Sequence, residues 1–287
     1  MKFKSDLEAF QVSHPFSVME IQGCSFHYLL CGREESPCTL VYFVGGTGNP
    51  LGWYRHVLAM ESKYRILLLD YPMGVDEMEQ LTGLIGALIR ELDIENAVWI
   101  GASFGGYIAQ LMAKKNPEIT RAMVLYATTA LSEKGIDALK KQYRYMGTLL
   151  WLMEHGPYGL LKGAFMKPML KRLIPREHTD YAAYMKDFIQ WIYEGYTRQT
   201  DLHMTRLMAD IGNLTPVRSE DFDYLKGRVQ LILPQNDKAF SPQMQEELMA
   251  LLRYPDTETM EGGHLATLFR AEEFAARTDA FLKKFHR

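Results

Sequence analysis

One stretch constrains this chain more than any other: Asn96-Ala-Val-Trp-Ile-Gly-Ala-Ser-Phe-Gly-Gly-Tyr107, an apolar run that ends in Gly101-Ala102-Ser103-Phe104-Gly105 and passes straight into a helical pattern. A run of this kind, bounded by glycine, reads as a buried strand. The serine that follows would sit on a sharp strand-to-helix turn, where small residues two positions before and after relieve the crowding of backbone and side chain. Gly101, Gly105 and Gly106 meet that need. The stretch therefore reads as a nucleophile elbow, which presents a hydroxyl at the top of a strand. Chance alone would place a G-x-S-x-G in roughly one chain in twenty of this composition, so the flanking sequence has to carry the assignment.

The flanks alternate strand with helix. Residues 16–31 alternate apolar with polar as an antiparallel hairpin does, with Phe26, Tyr28 and Leu30 on one side and Gly32-Arg-Glu-Glu-Ser-Pro37 as its turn. Thr39-Leu-Val-Tyr-Phe-Val44 is apolar throughout, as a strand covered on both faces must be, and breaks into Gly45-Gly46-Thr47-Gly48-Asn49-Pro50. Tyr64 to Asp70 repeats the pattern, and apolar residues then recur at helical spacing from Met78 to Leu92. After the elbow a helix runs to Lys115 and stops at Asn116-Pro117, and Arg121 to Tyr126 supplies the next strand. Further on come a strand at Val229–Leu233, a helix opened by Ser241-Pro242, a short strand at Thr257–Met260 and a closing helix bearing Phe274, Phe281, Leu282 and Phe285.

Between about 130 and 220 the alternation stops. No buried-strand run appears there, and helical stretches rich in Tyr143, Tyr145, Trp151, Met153, Phe165, Met169, Tyr184, Phe188, Trp191, Tyr193 and Met208 take over. The expected architecture is thus α/β: a mostly parallel central sheet flanked by helices, formed by residues 1–129 and 221–287, with a helical insertion over 130–220 that lies over the site as a cap. Most of the insertion's aromatic and methionine side chains are expected to form its own small core. At 287 residues and 47% apolar content, the chain is long enough for one such domain plus its insertion, or for two ordinary domains. Ligands in this layout bind beyond the carboxyl ends of the strands. A doubly wound nucleotide-binding fold is the competing layout, but Gly45-Gly46-Thr47-Gly48 has neither the dinucleotide spacing nor a P-loop lysine.

A serine hydroxyl becomes a nucleophile only beside a base, and the base needs a carboxylate to fix its tautomer; on this architecture the chain order is serine, acid, histidine. Asp237, in Pro234-Gln-Asn-Asp-Lys238, and His264, after Gly262-Gly263, stand in that order just beyond two strands. The alternative for Asp237 is a turn aspartate capping its own backbone, and for His264 a structural histidine. His14, His27, His56, His155 and His203 lack a glycine-flanked setting after a strand and are read as surface or packing residues. A tetrahedral intermediate also needs two N–H donors. One comes from the residue after the nucleophile, Phe104, and one from the early glycine loop, at Gly46.

On these residues the chain resembles the α/β-hydrolase-fold serine hydrolases, over roughly 38–129 and 226–285. Tyr64-Arg-Ile-Leu-Leu-Leu-Asp-Tyr-Pro72 and Gly101-Ala-Ser-Phe-Gly-Gly-Tyr-Ile-Ala-Gln110 are similar to the maspardin branch. The resemblance implies cleavage of a carboxylic ester or thioester by Ser103, His264 and Asp237 through an acyl-enzyme, with Gly46 (or else Thr47) and Phe104 as oxyanion donors and neither metal nor organic cofactor. Val44 stands where many such enzymes carry a histidine before the oxyanion glycine. Two other readings follow from the same likeness: a carbon–carbon hydrolase or acyltransferase on the same residues, and a non-catalytic binding or scaffold protein, since the maspardin branch is known better for interactions than for catalysis. Its members depart from the full set of three residues, whereas this chain has all three.

Net charge and cysteines narrow the remaining classes. A net charge of −3 offers no overall attraction for nucleic acid or an anionic membrane, and the partner expected is a small, apolar acyl substrate. Residues 131–218 hold 13 Lys and Arg against 9 Asp and Glu, a net +4 that leaves −7 on the remainder; this suits either an anionic substrate or a solvated helical face. Cys24, Cys31 and Cys38 match neither a zinc spacing nor a disulfide framework and read as free thiols. No run approaches the roughly 20 apolar residues of a membrane span, and acids interrupt Met1–Phe10 where a signal peptide would be apolar, so a soluble, cytoplasmic protein is expected.

Overall fold

The apolar runs become the middle of one sheet because a strand with no polar face has to be covered on both sides. The computed structural model describes residues 3–164 and 179–285, and in them eight strands form a single sheet. They are β1 (Ser17–Ile21), β2 (Cys24–Gly32), β3 (Thr39–Phe43), β4 (Arg65–Leu69), β5 (Ala97–Ala102), β6 (Thr120–Tyr126), β7 (Val229–Pro234) and β8 (Asp256–Met260). Their spatial order is β1-β2-β4-β3-β5-β6-β7-β8. β1 with β2 and β2 with β4 run antiparallel; every pair from β4 to β8 is parallel. All residues of β3 and β5 are buried, while β8 at the far edge alternates and buries only Met260 fully.

From β3 the chain leaves to β4 on one side and returns to β5 on the other. The loops that follow β3 and β5 therefore part at one point of the sheet edge, and a crevice opens there. Helices α1 (Phe3–Ser13), α2 (Tyr54–Met60), α3 (Met78–Glu91) and α4 (Phe104–Lys115) accompany the first half. Between β6 and β7 lie α5 (Glu133–Gln142), α6 (Met146–His155), α7 (Thr179–Gly195) and α8 (Arg198–Asp210). After β7 come α9 (Pro242–Leu252), α10 (Ala266–Phe269) and α11 (Ala271–Leu282). Among the described residues none between Tyr126 and Val229 is in a strand, and the helical segment begins and ends at one stem, where the Val217 N–H donates to the Leu131 carbonyl at 3.0 Å.

Three details differ from the sequence reading. The turn of the first hairpin is Gln22-Gly23, with φ of 50° and 79°, not Gly32–Pro37. Positive φ at both central residues matches the twist of the flanking strands. Gly32–Pro37 instead carries the chain from β2, antiparallel to β4, round to β3. The second difference is α1: Phe3, Leu7 and Phe10 fall on one helical face and are buried, although that segment showed no fold signal. The third concerns the aromatic residues of the insertion. Tyr184, Phe188 and Trp191 of α7 close around Phe3 at ring distances of 5.3–5.7 Å, so they join the main core through α1, and Tyr145 and Trp151 are exposed. Phe165 and Met169 lie outside the described residues.

Candidate active site

Ser103 sits between β5 and α4 with φ 54° and ψ −123°, a backbone conformation that costs a side-chain-bearing residue on the order of 1–3 kcal/mol. Its surroundings hold it there. The Ser103 N–H donates to Tyr126 O at 3.0 Å, and the Ser103 carbonyl accepts from Gly106 N at 2.9 Å. The crossing is tight: a Cβ on Gly101 would lie 2.2 Å from the Gly105 carbonyl oxygen, and one on Gly105 would lie 2.2 Å from that of Phe43. Only glycine permits either approach.

β7 and β8 deliver two further side chains to the same edge. The loop after β7 turns at Asn236 (φ 60°) and presents Asp237; the loop after β8 turns at Gly262 and Gly263 and presents His264. His264 Nδ1 lies 3.0 Å from Asp237 Oδ2, and His264 Nε2 lies 3.0 Å from Ser103 Oγ. A carboxylate can only accept, so Nδ1 carries the proton and Nε2 offers its lone pair to the serine hydroxyl. The Asp237 side chain is 1% exposed and that of His264 7%, so the pair is shielded from water. Asp237 also caps its own turn: Oδ1 accepts from Ala239 N at 2.6 Å and from Phe240 N at 3.4 Å. The capping alternative and the orienting one are thus both satisfied, one oxygen each.

Two supports were not legible in the sequence. The Tyr126 phenol donates to Gly263 O at 2.6 Å, which pins the turn before His264. Burial, with the Asp237 carboxylate behind it, raises that phenol well above its ordinary range and keeps it a donor. Phe240 meets the His264 ring edge-on at 5.4 Å. Neither contact has a local signature, since the partners come from separate loops.

The glycine loop after β3 reaches the same point. Gly45 approaches the elbow so closely that a Cβ on it would lie 3.4 Å from Ala102 O and 3.8 Å from Ser103 Cβ. The Gly45 carbonyl turns into the loop and accepts from Gly48 N at 3.0 Å; because the peptide is trans, the Gly46 N–H points the opposite way, out of the turn. Phe104 is the first residue of α4, and its N–H has no place in the helix's own ladder. A cavity of about 210 Å³ lies between α5 and the end of α8, lined by Leu139, Tyr143, Met146, Met208 and Ile211 with Lys140 and by none of Ser103, His264 or the glycine loop. Met208 also meets the loop, its sulfur 3.6 Å from where a Gly46 Cβ would be.

Among the described residues, one other grouping brings potential ligand atoms together: His14, Cys31 and Glu61, within 4.8 Å of one another. It lies at the opposite end of the strands, where Cys31 pairs with Ile66 at the start of β4. His14 Nε2 is 2.8 Å from Glu61 Oε2, and burial followed by the Glu61 charge pushes the Cys31 thiol up to about 12, so it stands as a neutral thiol beside that pair. His56 and His203 are buried, as packing histidines are.

Comparison with known proteins agrees with this fold. Residues 40–277 match the model of the alpha/beta hydrolase family. Maspardin from Danio rerio is 23% identical over 261 residues, 89% of this chain and 77% of that protein. Among solved structures, the enol-lactonase from Burkholderia xenovorans LB400 superposes with a TM-score of 0.74 at 18% identity, covering 93% of this chain and all 100% of that one. A thermophilic esterase from Thermogutta terrifontis gives 0.73 at 15% identity, with 95% and 99% covered. Among the described residues no helix is long and apolar enough to cross a membrane.

Proposed function

The chain belongs to the alpha/beta hydrolase family, and on that premise we propose that it is a serine hydrolase that cleaves a carboxylic ester or thioester through an acyl-enzyme on Ser103. The observation that carries the reading is the unbroken hydrogen-bonded chain from Ser103 Oγ through His264 to Asp237, at 3.0 Å on either side of the imidazole. In the first half-reaction Ser103 Oγ bonds to the carbonyl carbon while its proton passes to His264 Nε2. The resulting oxyanion lies between the N–H groups of Gly46 and Phe104. On collapse the bond to the alcohol or thiol breaks, and His264 Nε2–H protonates the leaving atom. Water then attacks the acyl-enzyme, gives its proton to His264, and the carboxylic acid departs as Ser103 regains its hydrogen. Asp237 accepts from Nδ1 throughout and stabilises the imidazolium formed in each half.

Residues 130–220 act in this reading as a lid, and Met204 and Met208 of α8, which lie against Gly48 and Gly46, support an apolar group on the substrate. Reaction with a fluorophosphonate tests the proposal: Ser103 Oγ displaces fluoride and becomes phosphonylated. The wild type is expected to label and Ser103→Ala not to. Absence of labelling in the folded wild type, or equal labelling of the variant, overturns the reading and favours a non-catalytic binding protein. Product analysis distinguishes ester or thioester cleavage from carbon–carbon hydrolysis or acyl transfer on the same residues.

A further inference from the structure

An oxyanion donor works only if its peptide is already aimed, because reorienting it during the reaction consumes the stabilisation it supplies. A loop reading Gly45-Gly46-Thr47-Gly48 is badly suited to holding an aim, since glycine is the residue with the most backbone freedom. The loop's own carbonyls show how the protein restrains it. Four consecutive ones accept a hydrogen bond: Phe43 O from the Trp53 indole at 3.1 Å, Val44 O from the Tyr71 phenol at 2.9 Å, Gly45 O from Gly48 N at 3.0 Å, and Gly46 O from the Tyr196 phenol at 3.2 Å. The first two donors come from segments that follow β3 and β4. The last comes from the insertion, out of the link between α7 and α8 and 150 residues along the chain.

Gly46 has two soft dihedrals, and they lie between the peptide planes on either side of it. One plane is held at the Gly45 carbonyl, inside the loop, and the other at the Gly46 carbonyl, from outside. We propose that Tyr196 is a positioning residue of the active site: its O–H to the Gly46 carbonyl fixes the second plane, and with the first plane held at the Gly45 carbonyl this locks both Gly46 dihedrals and so keeps the loop segment that presents the Gly46 N–H from drifting off the oxyanion. The inference rests on the function proposed above. The insertion is then more than a cover, because it completes the oxyanion loop of a chain that has Val44 in place of a histidine at the loop's start. Neighbouring contacts reinforce the grip. On α8, Met204 and Met208 are one helical turn apart and lie over Gly48 and Gly46 respectively, and the Lys162 ammonium donates to the Tyr196 carbonyl at 2.6 Å. Desolvation pushes the Tyr196 phenol well above its ordinary range, so it remains a donor throughout the working pH range.

Tyr196→Phe removes the hydroxyl and nothing else. Two readouts separate this inference from the function it rests on. Amide hydrogen exchange over residues 44–50 needs no activity, and it is expected to speed up about 5- to 50-fold in Tyr196→Phe. The control is Tyr158→Phe, whose phenol bonds Thr197 O and Asp201 Oδ2 within the insertion, and it is expected to leave that exchange unchanged. With a short-chain nitrophenyl ester, Tyr196→Phe is expected to lower kcat about 10- to 100-fold with KM within about twofold, the split that marks loss of an interaction made only in the transition state. Unchanged exchange over 44–50 overturns the tether. Faster exchange with kcat within about twofold of wild type overturns the positioning role. A wild type inactive on every ester, with exchange faster in Tyr196→Phe, counts against the proposed hydrolase and leaves the tether standing.

Discussion

Asp237→Asn sets two demands of the structure against each other. The carboxylate now satisfies three donors with two oxygens: His264 Nδ1–H on Oδ2, and the Ala239 and Phe240 N–H groups on Oδ1. An amide has one oxygen and one NH2. If the oxygen stays on the backbone donors, the NH2 faces Nδ1, which must then accept, and the ring proton moves to Nε2. That tautomer cannot take the proton of Ser103. If the amide flips, the reactive tautomer survives but two N–H donors lose their partner, at about 1–3 kcal/mol each. The Phe240 contact at 3.4 Å is weak and the Ala239 contact at 2.6 Å is strong, so the flipped state should lie about 3–4 kcal/mol above the inert one. At 1.36 kcal/mol per decade, ester hydrolysis and fluorophosphonate labelling should both fall about 100- to 1,000-fold. The melting temperature should change little, because the inert state keeps the turn intact. Ring-nitrogen NMR of His264 reads the cause directly: the proton should move from Nδ1 to Nε2. A variant within about threefold of wild type, or one that loses activity with the proton still on Nδ1, would refute this account of Asp237.

Two further substitutions test the scaffold. Gly101→Ala drives a methyl to 2.2 Å from the Gly105 carbonyl oxygen, a backbone atom that cannot swing aside, and should cost at least about 1–3 kcal/mol; a denaturant midpoint equal to wild type would mean that the strand–helix crossing is looser than described. His56 is fully buried among Tyr42, Trp53 and Phe274 with no hydrogen-bond partner on either ring nitrogen among the described residues, and burial followed by the Arg55 charge lowers it to about 3. The unfolded chain takes up its proton below about 6.5 while the fold does not, so this residue's share of stability is present above pH 6.5 and is lost as pH falls toward 3. In His56→Phe the decline in unfolding free energy between pH 6.5 and 4 should be shallower than in wild type, and identical slopes would remove His56 from the acid response.

The readings that held came from short-range pattern. β3, β4 and β5 were legible because a strand buried on both faces must be apolar at every position, and the elbow because its glycines flank the serine within five residues. Ser241 likewise caps α9 through Met244 N with Pro242 at the first turn, as its local sequence implied. The misses share one cause. Gln22-Gly23 lacks the asparagine or aspartate that usually announces a hairpin turn, and Gly32–Pro37 carries the more conspicuous turn signal. The apolar face of α1 has no local signature, because the residues that cover it, Tyr184, Phe188 and Trp191, lie about 180 residues along the chain.

By itself the sequence determined that a serine would be held on a tight turn between a buried strand and a helix, because the crowding that demands glycine arises between atoms a few residues apart. It also placed one acid and one histidine just after later strands. It takes the folded chain to bring His264, 161 residues from Ser103, within 3.0 Å of it, to divide the oxygens of Asp237 between its own turn and the imidazole, and to set a phenol from the insertion on the glycine loop. Parallel strand pairing is what brings the post-strand loops to one edge, and it is a long-range property of the whole sheet that no local window of residues contains.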